Sequence, residues 1–179
     1  MAVVYLVRHG HADYAEIDGR GWPGATADYA PLSDLGFQQA RQAAQELAQV
    51  GAVELVSSPM TRALQTAGIL ASRLRLPVHV QFDLREWLPD DQFLWRGHAD
   101  VRAAVADFDS CAFEWPPGER RSWEPLSAVR ARAETALRAA TKLLAADDIV
   151  IAVCHEMVIW SLTGERSTGT GKWRRIELS

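Results

Sequence analysis

Two arginines and two histidines stand just after short apolar stretches of the sequence. Arg8 and His9 follow the apolar residues 3–7, Arg62 comes soon after residues 53–56, and His155 ends the run that begins at 149. Guanidinium groups bind phosphate oxygens through paired N–H groups, and an imidazole nitrogen can attack phosphorus directly. These residue types predict a cationic pocket for a tetrahedral phosphate, in which His9 takes a phosphoryl group from an ester and passes it to water.

Further residues would complete this site. The alkoxide that leaves a phosphate ester needs a proton, and Glu86 stands shortly beyond a weakly predicted strand, where burial would raise its pKa. Asp13 is the alternative proton donor. Ser58 precedes Pro59 at the start of a predicted helix, where it can cap the helix and contact the substrate. His11 is expected at the rim of the pocket.

The elements that must position these residues alternate along the chain. Short apolar runs predict strands at 3–7, 53–56 and 149–153, with weaker strands at 77–82 and 173–178. Helical periodicity lies between and after them, at 33–50, 59–74 and 125–146. Alternation of this kind predicts an α/β fold with a mostly parallel sheet. Ligands bind beyond the carboxyl ends of such strands, so the residues named above are expected to line one crevice.

The length and composition predict one domain. The chain has 179 residues, 48% of them hydrophobic, which is enough for one sizeable core. Residues 87–123 differ from the rest, because tryptophans alternate there with proline, glycine and charged residues. We interpret this segment as a tryptophan-rich insertion that either covers the site as a lid or packs a minor core.

Charge and hydropathy exclude several classes of partner. A formal charge of -4 argues against a nucleic-acid surface, and no run approaches the ~20 apolar residues of a membrane span. The N-terminus lacks the pattern of a signal peptide, and two cysteines make no disulfide framework. These features predict a cytoplasmic location. They indicate no particular oligomeric state.

The same N-terminal residues also suggest a rival chemistry. His9, His11 and Asp13 form a His-x-His-x-Asp run of the kind that binds catalytic metals. A barrel hydrolase built on that motif would need ~250 residues, and Arg8 beside the first ligand would repel a divalent cation. A metal-dependent hydrolase is therefore the less favoured alternative.

Four fragments resemble the histidine phosphatase superfamily, the phosphoglycerate mutase-like proteins. They are LVRHG at 6–10, PLSDLGFQQA at 31–40, SSPMTRALQTA at 57–67 and VCH at 153–155. The resemblance implies a three-layer α/β/α sandwich, a phosphohistidine at His9, and a phosphate pocket of Arg8, Arg62 and His155. It implies Glu86 as the proton donor, with no metal and no other cofactor. Because dedicated mutases of this family tend to be longer, the compact length favours hydrolysis.

Two departures from the family pattern leave alternatives open. Many members carry an asparagine a few residues after Arg-His-Gly, which is absent from residues 11–15, and many have glycine where this chain has Glu156. We expect the Glu156 carboxylate to face the N-terminus of its own helix; the less favoured alternative is that it opposes an anionic substrate. Small protein-phosphohistidine phosphatases resemble this pattern, so a phosphoprotein substrate stays possible. Glu86 and the insertion favour a small phosphorylated molecule, and a non-catalytic phosphate-binding module is the remaining alternative.

Overall fold

Five strands form one sheet in the computed structural model, which describes residues 2–145 and 147–178. The strands are β1 (Ala2–Arg8), β2 (Ala52–Ser57), β3 (His79–Val80), β4 (Ile149–Cys154) and β5 (Trp173–Leu178). Their order across the sheet is β3-β2-β4-β1-β5. All pairs are parallel except that of β1 with β5, which is antiparallel. The predicted α/β class with a mostly parallel sheet is confirmed.

Six α-helices of the described residues connect and cover the strands. They are α1 (Ala15–Arg20), α2 (Asp34–Glu46), α3 (Thr61–Leu74), α4 (His98–Ser110), α5 (Leu126–Thr141) and α6 (Glu156–Thr163). The helix predicted over 125–146 ends at Thr141, and residue 146 lies outside the described residues. The strand predicted at 77–82 is reduced to His79–Val80, because the chain turns into a 3-10 helix at Phe82–Leu84.

Successive side chains of the central strands point to opposite faces of the sheet, and each face carries its own core. In β4, Val150 and Ala152 pack on one face, while Ile151 and Val153 pack on the other. The first face is covered by α5 and α6, and the second by α2 and α3. These are the three layers that the family resemblance implies. No helix of the described residues is long and apolar enough to cross a membrane.

The tryptophan-rich segment extends the first core. Trp87 and Trp123 are buried in that core, where each packs against Phe108 of α4 at ring-centroid distances of 5.2 Å. The indole of Trp123 also donates a hydrogen bond to Asp107, at 2.7 Å. These contacts fit the interpretation that the tryptophan-rich segment packs a core. Trp95 instead lies over Gly24, where an added Cβ would come within 1.9 Å of the indole.

Two glycines of the family-like fragments pack against each other. A Cβ on Gly10 would lie 2.4 Å from the carbonyl oxygen of Gly36, and one on Gly36 would lie 2.1 Å from that of His11. The start of α2 therefore presses directly against the chain that follows β1. Ser33 caps α2 and accepts a hydrogen bond from the Gly36 N–H. This close approach holds the Arg8-His9-Gly10 turn at the edge of the sheet.

Candidate active site

The carboxyl ends of three parallel strands bring the predicted site residues together. Arg8 and His9 lie at the end of β1, Ser58 follows β2, and His155 follows β4. Arg62 lies in the first turn of α3. The imidazole rings of His9 and His155 are 5.0 Å apart between centroids.

Hydrogen bonds determine which nitrogen of His9 is available. Nδ1 lies 2.7 Å from the carbonyl oxygen of Gly10, which can only accept, so Nδ1 carries the proton. Nε2 is left with its lone pair and accepts a hydrogen bond from Nε of Arg62 at 3.2 Å. Burial, helped by the charge of Arg62, lowers the pKa of His9 to about 3. His9 is therefore neutral above mildly acidic pH, with Nε2 as its nucleophilic atom.

Arg62 is held by contacts on every side of its guanidinium group. Besides His9, it donates from Nη1 to the carbonyl of Ala27 at 3.0 Å, and its Nη2 contacts Sδ of Met60 at 3.1 Å. One turn along α3, the hydroxyl of Thr66 accepts from the Gly10 N–H at 3.1 Å and donates to the Arg62 carbonyl at 2.8 Å. Thr66 was not among the predicted site residues, although its spacing from Arg62 places both on one helix face.

Ser58 forms a hydrogen bond with His155. Its buried hydroxyl accepts from the Met60 N–H at 3.3 Å, and among the described residues the acceptor for its own proton is Nε2 of His155, 2.7 Å away. His155 then carries its proton on Nδ1, which has no partner in the described part of the chain and is free to donate. Burial, with the charges of Arg62 and His9, holds the pKa of His155 well below its usual range. The substrate contact of Ser58 stays a prediction beside this observed contact.

Arg8 forms an ion pair that no sequence motif predicts. Its Nη2 lies 2.9 Å from Oε2 of Glu156, and its Nη1 donates to the carbonyl of Thr168 at 2.6 Å. Glu156 lies in the first turn of α6, as expected, and its carboxylate also meets a cation of the site. One of the two arginines at the site is therefore already paired with a carboxylate of the protein.

Glu86 is a half-buried carboxyl group in the field of several cations. Its Oε1 accepts a hydrogen bond from the Trp87 N–H at 2.8 Å. Burial raises its pKa, while the Trp87 N–H and the charges of Arg62, Arg8 and Arg132 act in the opposite direction. Because burial dominates, the protonated form is favoured to a higher pH than for an exposed glutamate.

Arg132 of α5 holds the backbone that carries Glu86. Its Nη1 donates to the carbonyls of Asp83 at 2.6 Å and Arg85 at 2.8 Å, and its Nη2 donates to that of Glu86 at 3.2 Å. The remaining N–H groups form a bidentate pair with Glu124, at 2.7 and 2.9 Å. All five guanidinium donors are therefore satisfied. No sequence motif links Arg132 with residues more than forty positions away.

His11 and Asp13 lie at the periphery. His11 is exposed, its Nδ1 is 2.9 Å from the Ser33 hydroxyl, and its charge acts on the pKa of His9. Asp13 is exposed and its Oδ1 accepts from the Ala15 N–H at 2.9 Å, in a turn of its own. Within the described ranges, no three His, Cys, Asp or Glu side chains are grouped so that they could hold a metal ion.

Comparison with known proteins identifies relatives of this chain. It is 36% identical over 120 residues to a glucosyl-3-phosphoglycerate phosphatase of Mycolicibacterium vanbaalenii, an alignment that covers 66% of this chain and 45% of the relative. It is 35% identical over 89 residues to the probable phosphoglycerate mutase GpmB of Proteus mirabilis, covering 48% and 38%. The alignments thus span less than half the length of these two relatives.

Solved structures share the whole fold. A mycobacterial glucosyl-3-phosphoglycerate phosphatase in complex with VO3 superposes with a TM-score of 0.72 at 26% identity, covering 97% of this chain and 90% of that one. Bacillus stearothermophilus YhfR superposes with a TM-score of 0.76 at 22% identity, covering 99% and 91%, which shows the fold alone. The sequence model of the histidine phosphatase superfamily (branch 1) matches residues 4–178. By its sequence and by its fold, the chain belongs to the histidine phosphatase superfamily.

Proposed function

We propose that this protein is a phosphatase that hydrolyses a phosphomonoester through a phosphohistidine at Nε2 of His9, without a metal ion. The observation that carries the proposal is the state of the His9 ring. It is neutral, its Nδ1–H is directed to Gly10, and its Nε2 lies beside Arg62 and close to His155. A nucleophilic nitrogen among fixed cationic and neutral donors is what attack on a phosphate requires.

The first half-reaction transfers the phosphoryl group to the protein. The Nε2 lone pair forms a bond to phosphorus as the bond from phosphorus to the ester oxygen breaks. Arg8 and Arg62 neutralise the phosphoryl oxygens, and the free Nδ1–H of His155 donates to one of them. Glu86 gives its proton to the departing alkoxide. The positive charge that develops on the His9 ring is stabilised by the Gly10 carbonyl.

The second half-reaction returns the site to its starting state. Glu86, now a carboxylate, accepts a proton from a water molecule as that water attacks phosphorus. The bond between phosphorus and Nε2 breaks, inorganic phosphate leaves, and Glu86 is again protonated. The hydrogen bonds of Arg132 keep the Glu86 backbone fixed through both steps. We assign Arg132 as a positioning residue.

Relatives support a small phosphorylated molecule as the substrate. The names of the two curated relatives refer to a phosphatase of glucosyl-3-phosphoglycerate and to a phosphoglycerate mutase. Segment 87–123 packs into the first core and does not form a core of its own. This packing supports the proposal that residues 1–179 form one catalytic domain. Glu86, with its raised pKa, favours ester hydrolysis, because an alkoxide is a poor leaving group without a proton donor.

Metal independence is tested by turnover in the presence of a chelator. We expect hydrolysis of p-nitrophenyl phosphate, and of active members of a phosphorylated-metabolite panel, to be unchanged after extensive treatment with EDTA. The reason is that Arg8, Arg62 and His155 already supply the positive charge and the donors for the phosphoryl oxygens. Loss of turnover that zinc or manganese restores would contradict this part of the proposal.

Glu156 is expected to weaken phosphate binding by competing for Arg8. The variant Glu156→Gln removes the ion pair with Arg8 and should tighten inhibition by inorganic phosphate by roughly twofold to fivefold. The effect is moderate because the ion pair is partly exposed. The measurement is the inhibition constant of phosphate against p-nitrophenyl phosphate. Glu165→Gln is the matched control, because Glu165 pairs with the peripheral Arg174. Weaker phosphate binding in Glu156→Gln would show that the carboxylate positions Arg8.

A further inference from the structure

A cleft of about 360 Å³ opens beside the phosphate site. Tyr29, Phe82 and Phe93 line it and expose 71%, 67% and 49% of their surfaces. Exposed apolar side chains that occur singly are ordinary, but three aromatic rings around one cleft form a patch of the kind that binds ligands. These rings lie outside the hydrophobic cores, and none of them takes part in the proposed transfer of the phosphoryl group.

The wall of the cleft contacts Arg62 of the candidate site. Met60 forms part of its wall, and the Met60 sulfur touches the Arg62 guanidinium at 3.1 Å. Asp28 lines it next to Ala27, whose carbonyl accepts from Arg62. Arg85 lines it directly before Glu86. The wall of the cleft therefore adjoins Arg62, and it includes the chain neighbour of Glu86.

Two charged residues also line the cleft. The guanidinium of Arg85 lies over the ring of Phe82 and 3.3 Å from Glu124, a carboxylate that it shares with Arg132. Asp28 adds a half-buried carboxyl group whose pKa is raised by burial. A carboxylate in the cleft would meet the ionised form of Asp28, whereas an apolar group would cover the three aromatic rings.

We propose that this cleft binds the leaving group of the substrate, and that the leaving group is an aromatic or bulky apolar alcohol. The proposal rests on the proposed function, because it places the ester oxygen beside Glu86 and the rest of the alcohol over Phe82 and Phe93. The cleft then selects among phosphomonoesters, because all of them bind through the same phosphate pocket and differ in the alcohol.

The test compares two esters whose leaving alcohols have similar basicity. We expect kcat/KM for benzyl phosphate to exceed that for ethyl phosphate by roughly tenfold, since the benzyl ring covers apolar surface that ethyl cannot reach. In the double variant Phe82→Ala/Phe93→Ala that ratio should fall to about twofold or less. Leu143→Ala, at an exposed apolar residue away from the cleft, is the matched control and should keep the ratio.

Binding of phosphonates provides a second readout that does not require turnover. Benzylphosphonate should bind more tightly than methylphosphonate by a similar factor, and the double variant should lose that difference. Equal kcat/KM for the two esters, or an unchanged ratio in the double variant, overturns the leaving-group site and leaves the phosphatase proposal standing. A strong preference of the wild type for 3-phosphoglycerate over benzyl phosphate also overturns it. Absence of turnover on every monoester contradicts the proposed function, and the phosphonates then still test the cleft.

Discussion

His9→Ala should lose both turnover and covalent labelling. We expect kcat for p-nitrophenyl phosphate to fall by at least ~10⁴-fold, because alanine offers no atom to accept the phosphoryl group. In the wild type, rapid quenching with a labelled substrate should trap a phosphoenzyme that is labile in acid and stable in base, as expected for a bond between phosphorus and nitrogen. The variant should show no such species.

The control for this experiment is another histidine of the same chain. His79 lies on β3, half exposed, and pairs with Glu54 away from the site. His79→Ala should keep wild-type turnover and labelling. Wild-type turnover in His9→Ala would show that the nucleophile is another residue. Lost turnover with full labelling would place the phosphoryl group on a different side chain.

Glu86→Gln should slow esters according to their leaving groups. For an alkyl phosphate, whose alkoxide needs a proton, we expect kcat to fall by about 10²–10⁴-fold. For p-nitrophenyl phosphate, whose leaving group is stable as an anion, the loss should be less than about tenfold. The measurement is a plot of kcat against leaving-group basicity for a series of esters, which should be steeper for the variant than for the wild type.

The pH dependence offers a second readout on Glu86. A general acid works when protonated, so wild-type turnover of an alkyl phosphate should decrease as the pH rises through the pKa of Glu86. Burial raises that pKa, so this decrease should lie above the range of an exposed glutamate. In Glu86→Gln the decrease should be absent. Asp13→Asn is the control, and a leaving-group effect in that variant instead would identify Asp13 as the donor.

The sequence pattern alone was sufficient to predict which residues meet at the site. The apolar runs before Arg8 and His155 predicted parallel strands, and the structure contains them as β1 and β4. Parallel strands must end at the same edge of a sheet, so convergence of Arg8, His9 and His155 could be predicted without coordinates. The helix after Pro59 likewise predicted that Arg62 would join them. Fold class and family follow from such local patterns, and both are confirmed.

Contacts between distant residues could not be read from the sequence. Arg132 bonds to carbonyls of residues 83–86, and Glu156 bonds to Arg8, although no local pattern relates either pair. Segment 87–123 could be recognised as unusual, but its packing on Phe108 depends on how α4 meets the sheet. Side-chain polarity predicts that such groups find partners, yet it does not say which partners.

The sequence by itself determined that His9 is surrounded by phosphate-binding residue types, while the tertiary structure decided how its ring is used. Composition and periodicity are local properties, and they specify strands, helices and the sheet edge where the residues meet. Only the folded backbone brings the Gly10 carbonyl to Nδ1 and Arg62 to Nε2. The protonation state of His9 depends on that geometry and on burial, because hydrogen bonding and desolvation act through space and not along the chain.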